Sequence, residues 1–79
     1  MDSFVNIAGY RFVDLPDRDE LREPFREACE ANRLLGTILL STEGINFFLC
    51  GDQPGIDGFL EYLESDDRFV DIPLKISQS

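Results

Sequence analysis

Residues 36–51 read Gly-Thr-Ile-Leu-Leu-Ser-Thr-Glu-Gly-Ile-Asn-Phe-Phe-Leu-Cys-Gly. Two apolar runs, Leu35 to Leu40 and Ile45 to Cys50, flank Ser41-Thr42-Glu43-Gly44. Each run has strand length and is rich in residues that fit a pleated surface. The break between them is short enough for a tight hairpin, with Gly44 supplying a positive φ. Working outward, Asp52-Gln53-Pro54 opens a helix, with Pro54 suited to its first position. Ile56, Phe59, Leu60 and Leu63 follow at i, i+3, i+4 and i+7, one apolar stripe. That helix stops near Ser65, and Ile72 to Ile76 forms a last short strand that Pro73 confines to an edge.

On the other side, residues 4–13 are β-branched, aromatic and mostly apolar, which predicts a strand with both faces at least partly covered. Gly9 marks a bulge or a close backbone approach. After the turn Asp14-Leu15-Pro16-Asp17, the pair Asp17 and Glu20 has capping-box spacing. A helix runs from there to about Arg33 with Leu21, Phe25, Ala28 and Cys29 inward, and Pro24 predicts a kink or false start within it. The order is β-α-β-β-α-β. With a tight central hairpin and right-handed crossovers this is an α+β, ferredoxin-like fold, the split β-α-β arrangement. Both helices cover one face of a four-stranded antiparallel sheet; the other face is bare.

The chain has 79 residues, enough for one domain, with 43% hydrophobic residues including seven Phe to build its core. Seven basic residues against sixteen acidic ones give a net charge of −9. Such a field repels phosphate backbones and disfavours a free-standing nucleic-acid or anionic-membrane binder. Cys29 and Cys50 form no C-x-x-C pair and there is no histidine, so neither a disulfide scaffold nor a zinc site is indicated. Cys29 falls on a helix stripe and Cys50 within a strand, where nothing nearby lowers a thiol pKa. The start, Met1-Asp2-Ser3-Phe4, lacks the basic residues and apolar run of a secretory signal, and no stretch approaches a membrane span. The cytoplasm is the expected compartment.

The plainer reading of Glu43 and Asn46 is that they shape the hairpin, Asn46 by bonding the turn backbone. Phe48 with Tyr10 or Phe12 on the bare face has the look of a base-stacking platform, but the third strand lacks the basic-Gly-aromatic signature and the charge has the wrong sign. A phosphate-cradling hydrolase of this topology is disfavoured too. The loop after the first strand carries Asp14, Asp17 and Asp19 around Arg18, which serves as their solvated partner. The acidic runs Asp17-Arg18-Asp19-Glu20 and Asp66-Asp67 read as surface, since neither has the spacing of a calcium loop.

The run from Gly36 to Asn46, Gly-Thr-Ile-Leu-Leu-x-x-Glu-Gly-Ile-Asn, resembles the signature of the rhodanese-like family that hydroxylates uridine at the tRNA wobble position. Tyr10-Arg11-Phe12-Val13, Leu21-Arg22-Glu23-Pro24 and Ile56-Asp57-Gly58-Phe59-Leu60 are similar as well, so the likeness runs from about residue 5 to residue 76. The resemblance implies an N-terminal domain of an enzyme that makes 5-hydroxyuridine with oxygen, in which a separate rhodanese domain, absent from these 79 residues, carries the active-site cysteine. Neither Cys29 nor Cys50 matches that cysteine. The domain's partners are then the rhodanese domain of the parent protein and, through the parent, tRNA, with no membrane. Its role is auxiliary: no catalytic residue, metal ligand or cofactor (none) is assigned. Glu43, Gly44, Asn46 and Phe48 are the candidate residues for tRNA or interdomain contact. One departure stands out: Phe47-Phe48 replaces the Gly and small polar residue that usually continue the family signature. The alternative is a stand-alone ferredoxin-like protein-interaction module, able to pair with a second copy through its bare face; the oligomeric state is open.

Overall fold

The computed structural model describes residues 4–78. Strand β1 spans Val5–Phe12, helix α1 Arg18–Ala31, β2 Leu35–Ser41, β3 Gly44–Gly51, α2 Gln53–Glu64 and β4 Leu74–Gln78, with a 3-10 turn at Asp67–Phe69 between α2 and β4. The strands form one antiparallel sheet in the order β2-β3-β1-β4, the ferredoxin-like order. The central hairpin closes through only Thr42 and Glu43, with Ser41 facing Gly44. Gly44 has a φ of +152°, and a Cβ there would collide with the Arg11 carbonyl oxygen on β1. The glycine lets β1 and β3 close up beside the turn.

The core follows the alternation of the strands. Val5 and Ile7 of β1 and Ile45, Phe47 and Leu49 of β3 point toward the helices, where Phe25, Ile56, Phe59 and Leu63 meet them. Phe25, Phe47, Phe59 and Phe69 form a chain of tilted and edge-to-face rings with centroids 5.8–6.2 Å apart. Gly9 is a close approach and not a bulge: the β1–β3 ladder is continuous, and a Cβ there would lie 2.8 Å from the Phe47 ring.

Several expectations are corrected. β1 is covered on both faces only over its first half: Asn6 and Ala8 are partly buried on the outer side, whereas Tyr10 and Phe12 are exposed. Helix α1 runs from Arg18 to Ala31 through Pro24, with no false start. Glu20, whose carbonyl loses a donor to the proline, is exposed to water. The helix ends two residues early, at Ala31, because Arg33 takes a φ of 58° and turns the chain into β2. β4 begins at Leu74 and not at Ile72. Asp71 at φ 59° and Pro73, which has no N–H, keep the ladder from starting sooner. β4 is an edge strand, as Pro73 requires.

The capping box does not form. Asp17 stands at the α1 N-cap, yet its carboxylate accepts no helix N–H. Arg68 takes it instead, at 2.8 and 3.2 Å, while also binding Asp66 at 2.7 and 3.0 Å. Two carboxylates read as plain surface are therefore half-buried arms of a clamp joining the start of α1 to the 3-10 turn. Hydrogen bonds from Arg68 hold both carboxyls below the usual range against the opposing effect of desolvation. Those bonds raise the guanidinium above its already high value. In α2, by contrast, the N-cap bond forms: Asp52 accepts from the Gly55 N–H at 2.7 Å, and Gln53 takes the first helical position with Pro54 second, one later than expected.

Candidate functional site: the open sheet face

The pleat that buries Ile7, Phe47 and Leu49 turns their neighbours outward. The cross-strand register puts Tyr10 and Phe12 of β1, Asn46 and Phe48 of β3, and Leu35, Thr37 and Leu39 of β2 on the face without helices. Their exposure is large for apolar side chains: Phe12 82%, Leu35 77%, Tyr10 63%, Leu39 62% and Phe48 56%. Tyr10 and Phe12 stack edge-on with centroids 5.6 Å apart. Among the described residues the outward rows of the four strands hold no carboxylate, and Lys75 is their one charge. A chain of net charge −9 thus keeps its acid off this face. Arg11 does not serve it either: it lies in the helix-side row of β1 and donates to the Val70 carbonyl at 2.7 Å.

The candidate residues divide between two places. Glu43, Gly44 and Asn46 line a shallow depression of about 370 Å³ at the hairpin end, with Tyr10, Phe12 and Leu39 as apolar walls. Phe48 lies farther along β3, opposite Ala8 and Thr37, outside that depression. Gly44 is buried, so its part is to seat the hairpin, whereas Glu43 and Asn46 are exposed. The turn is not shaped by Asn46, whose side chain makes no hydrogen bond among the described residues. Ser41 does that work: its hydroxyl accepts from the Glu43 N–H at 3.2 Å and donates to the Gly44 carbonyl. Asn46 instead presents its amide between Tyr10 and Leu39, a polar group within an apolar patch.

Leu35 and Leu39 belong to this face and were not singled out from sequence. The strand run Leu35-Gly36-Thr37-Ile38-Leu39-Leu40 is apolar in both alternating rows, so only the register against β3 shows which leucines face outward. Burial raises the Cys29 pKa, away from reactivity. The loop from Val13 to Asp17 that follows β1 offers Asp14 and Asp17, and Arg18, the first residue of α1, lies 3.8 Å from the Asp19 carboxylate. No group of three or more His, Cys, Asp or Glu that could hold a metal occurs among the described residues.

The fold and the sequence both have relatives. The family model described as "UPF0176 acylphosphatase like domain" matches residues 4–79. The chain is 55% identical over 75 residues to a tRNA uridine(34) hydroxylase of Cupriavidus necator, covering 95% of this chain and 27% of that protein. It is 47% identical over 79 residues to the enzyme of the same name from Bordetella parapertussis, covering 100% of this chain and 33% of that one. It therefore spans about a quarter to a third of the length of these relatives. Among solved structures, the de novo designed protein Ferredog-Diesel superposes with a TM-score of 0.65 at 17% identity, covering 98% of this chain and 86% of the design, a likeness of fold alone. No described helix is long and apolar enough to cross a membrane. Matched along nearly its whole length, the chain belongs to the UPF0176 acylphosphatase-like domain family and is homologous to the corresponding part of the tRNA uridine(34) hydroxylases.

Proposed function

We propose that this chain is an auxiliary, non-catalytic domain of a cytoplasmic tRNA uridine(34) hydroxylase, packed through its open sheet face against the remainder of the parent protein. One observation carries the reading: a contiguous apolar face, free of carboxylates, on an otherwise strongly acidic molecule. Large exposed apolar patches mark interfaces, because leaving them in water forfeits about 25 cal/mol for every Å² that could be buried. The relatives are three to four times longer than the matched region, which is consistent with a partner in the rest of a longer polypeptide; in this proposal that remainder includes the rhodanese domain implied by the sequence resemblance, and the oxygen-dependent chemistry belongs to it.

In this arrangement Phe48, Tyr10 and Leu39 form the apolar centre of the contact. Glu43 and Asn46, at the hairpin end, stand at its polar rim, where the domain borders the tRNA-binding surface of the parent. A direct base-stacking role for the face is the weaker idea, since Lys75 alone offers charge to a phosphate backbone. Side-chain oxidative footprinting tests the packing. Tyr10, Phe12 and Phe48 should be labelled rapidly in the 79-residue chain and several-fold more slowly in the full-length parent. Equal labelling in both would remove the open face from the interdomain contact.

A further inference from the structure

The two edges of the sheet are treated differently by the sequence. β4 opens after Pro73 and carries Lys75, both of which discourage another strand from pairing. β2, at the opposite edge, is Leu-Gly-Thr-Ile-Leu-Leu-Ser over seven residues, with no charge, no proline and unpaired backbone groups along its outer side. Beside it, on the helix side, a groove of about 630 Å³ separates β2 from α1, floored by Phe25, Cys29, Ile38, Leu40 and Leu49. Its rim on α1 is Arg22, Glu23, Arg26 and Glu30, two charges of each sign. Helix α2 has three acids and no base, so of the two helices α1 is the one that a like copy of charge −9 can approach at lower electrostatic cost.

From this edge we infer that two copies of the chain associate by antiparallel pairing of β2 with β2, joining their sheets into one. The register that places Ile38 on the two-fold axis is self-complementary in shape. Ile38 meets its equivalent, and Leu40 of each copy falls opposite Gly36 of the other, a large side chain against an absent one. In charge, two attractive pairs outnumber one repulsive pair. The start of α1 lies at the Ser41 end of β2, because the Val13 and Leu15 N–H groups bond the Glu43 and Thr42 carbonyls at 3.0 Å. The end of α1 lies at the Leu35 end, where the Leu34 N–H bonds the Cys29 carbonyl at 2.9 Å. A two-fold axis at Ile38 therefore brings Arg22 of each copy toward Glu30 of the other, twice per dimer, and Arg26, midway between them, toward its own equivalent once. Pairing uses the backbone of β2 and leaves the open face of both copies available, so this association and the docking proposed above stand or fall separately.

Sedimentation equilibrium of the 79-residue chain over micromolar to millimolar concentration tests the pairing. The mass should rise from 9.0 kDa toward twice that value. Arg22→Glu, on an exposed position, should move the midpoint about tenfold higher in concentration by turning two attractive contacts repulsive. The double variant Arg22→Glu/Glu30→Arg should restore it, and Phe48→Asp should leave it unchanged. A mass of 9.0 kDa at every concentration would overturn the inference. So would a dimer that Phe48→Asp abolishes and Arg22→Glu does not, because that dimer would use the open face.

Discussion

Phe47 and Phe48 are adjacent in sequence and separated by the sheet, and replacing each in turn by alanine measures what each face contributes. Phe47 is 2% exposed, wedged between Gly9 and the Phe59 ring. Its removal forfeits the transfer of a whole side chain and leaves a cavity in a close-packed layer, about 3–5 kcal/mol. A 79-residue domain has roughly 4–12 kcal/mol to lose. Phe47→Ala should therefore remove from about a quarter to all of the chain's stability. Phe48 already exposes more than half its surface, and the space it vacates fills with water. The cost is then less than half of the roughly 1.5–3 kcal/mol transfer value, with no cavity penalty, or about 0.5–1.5 kcal/mol. Urea titrations followed by circular dichroism read both, with unchanged slopes certifying the comparison. A Phe48→Ala variant as damaged as Phe47→Ala would refute the reasoning, since it would mean the outer face is already covered in the isolated chain.

Three further perturbations test the local arguments. Arg68→Met should destabilise the chain near neutral pH by breaking the clamp on Asp17 and Asp66. Both carboxyl pKa values are lowered in the fold, so the clamp's contribution is complete above the unfolded carboxylate value near 3.8 and is lost as pH falls through the lowered folded values. The stability gap between wild type and variant, measured in urea, should be constant from pH 7 to 5 and shrink at pH 3; a gap that stayed constant at pH 3 would count against the clamp. Gly44→Ala should cost about 1–3 kcal/mol through backbone strain, before the clash with the Arg11 carbonyl is added, and a melting temperature within a degree of wild type would contradict the geometry. Asp52→Ala should cost about 1 kcal/mol by orphaning the Gly55 N–H, while the exposed neighbour Gln53→Ala should cost less.

What could be read from the sequence was whatever rests on local chemistry. The strand-turn-strand pattern at residues 35–51, the α2 stripe and the opening of α2 at Asp52-Gln53-Pro54 depend on residues close in the chain, and their periodicities are distinct. Element ends were displaced by one to two residues wherever a single residue took a left-handed conformation, as Arg33 and Asp71 do. Asp17 shows the other limit. Its spacing to Glu20 is that of a capping box, but the bidentate bond from Arg68, 51 residues away, is stronger than a single bond to a helix N–H. The open face was only half visible. Tyr10, Phe12 and Phe48 are aromatic and conspicuous, whereas Leu35 and Leu39 sit in a run with no polar row, and only long-range strand register assigns them a side. Arg11 is a similar case: its place in the helix-side row and its bond to Val70, 59 residues on, leave the outer face without it.

The proposed docking requires that the open face contribute to a working hydroxylase. The most direct measurement is the 5-hydroxyuridine content of tRNA from cells in which the full-length parent, carrying Tyr10→Asp and Phe48→Asp, is the sole source of the activity. Two carboxylates in the middle of an apolar contact cannot be buried unpaired. The modification should fall to a small fraction of wild type, while the 79-residue chain with the same changes keeps its circular dichroism spectrum. Wild-type levels of hydroxyuridine from the doubly substituted parent would show that this face is not an interface the enzyme needs.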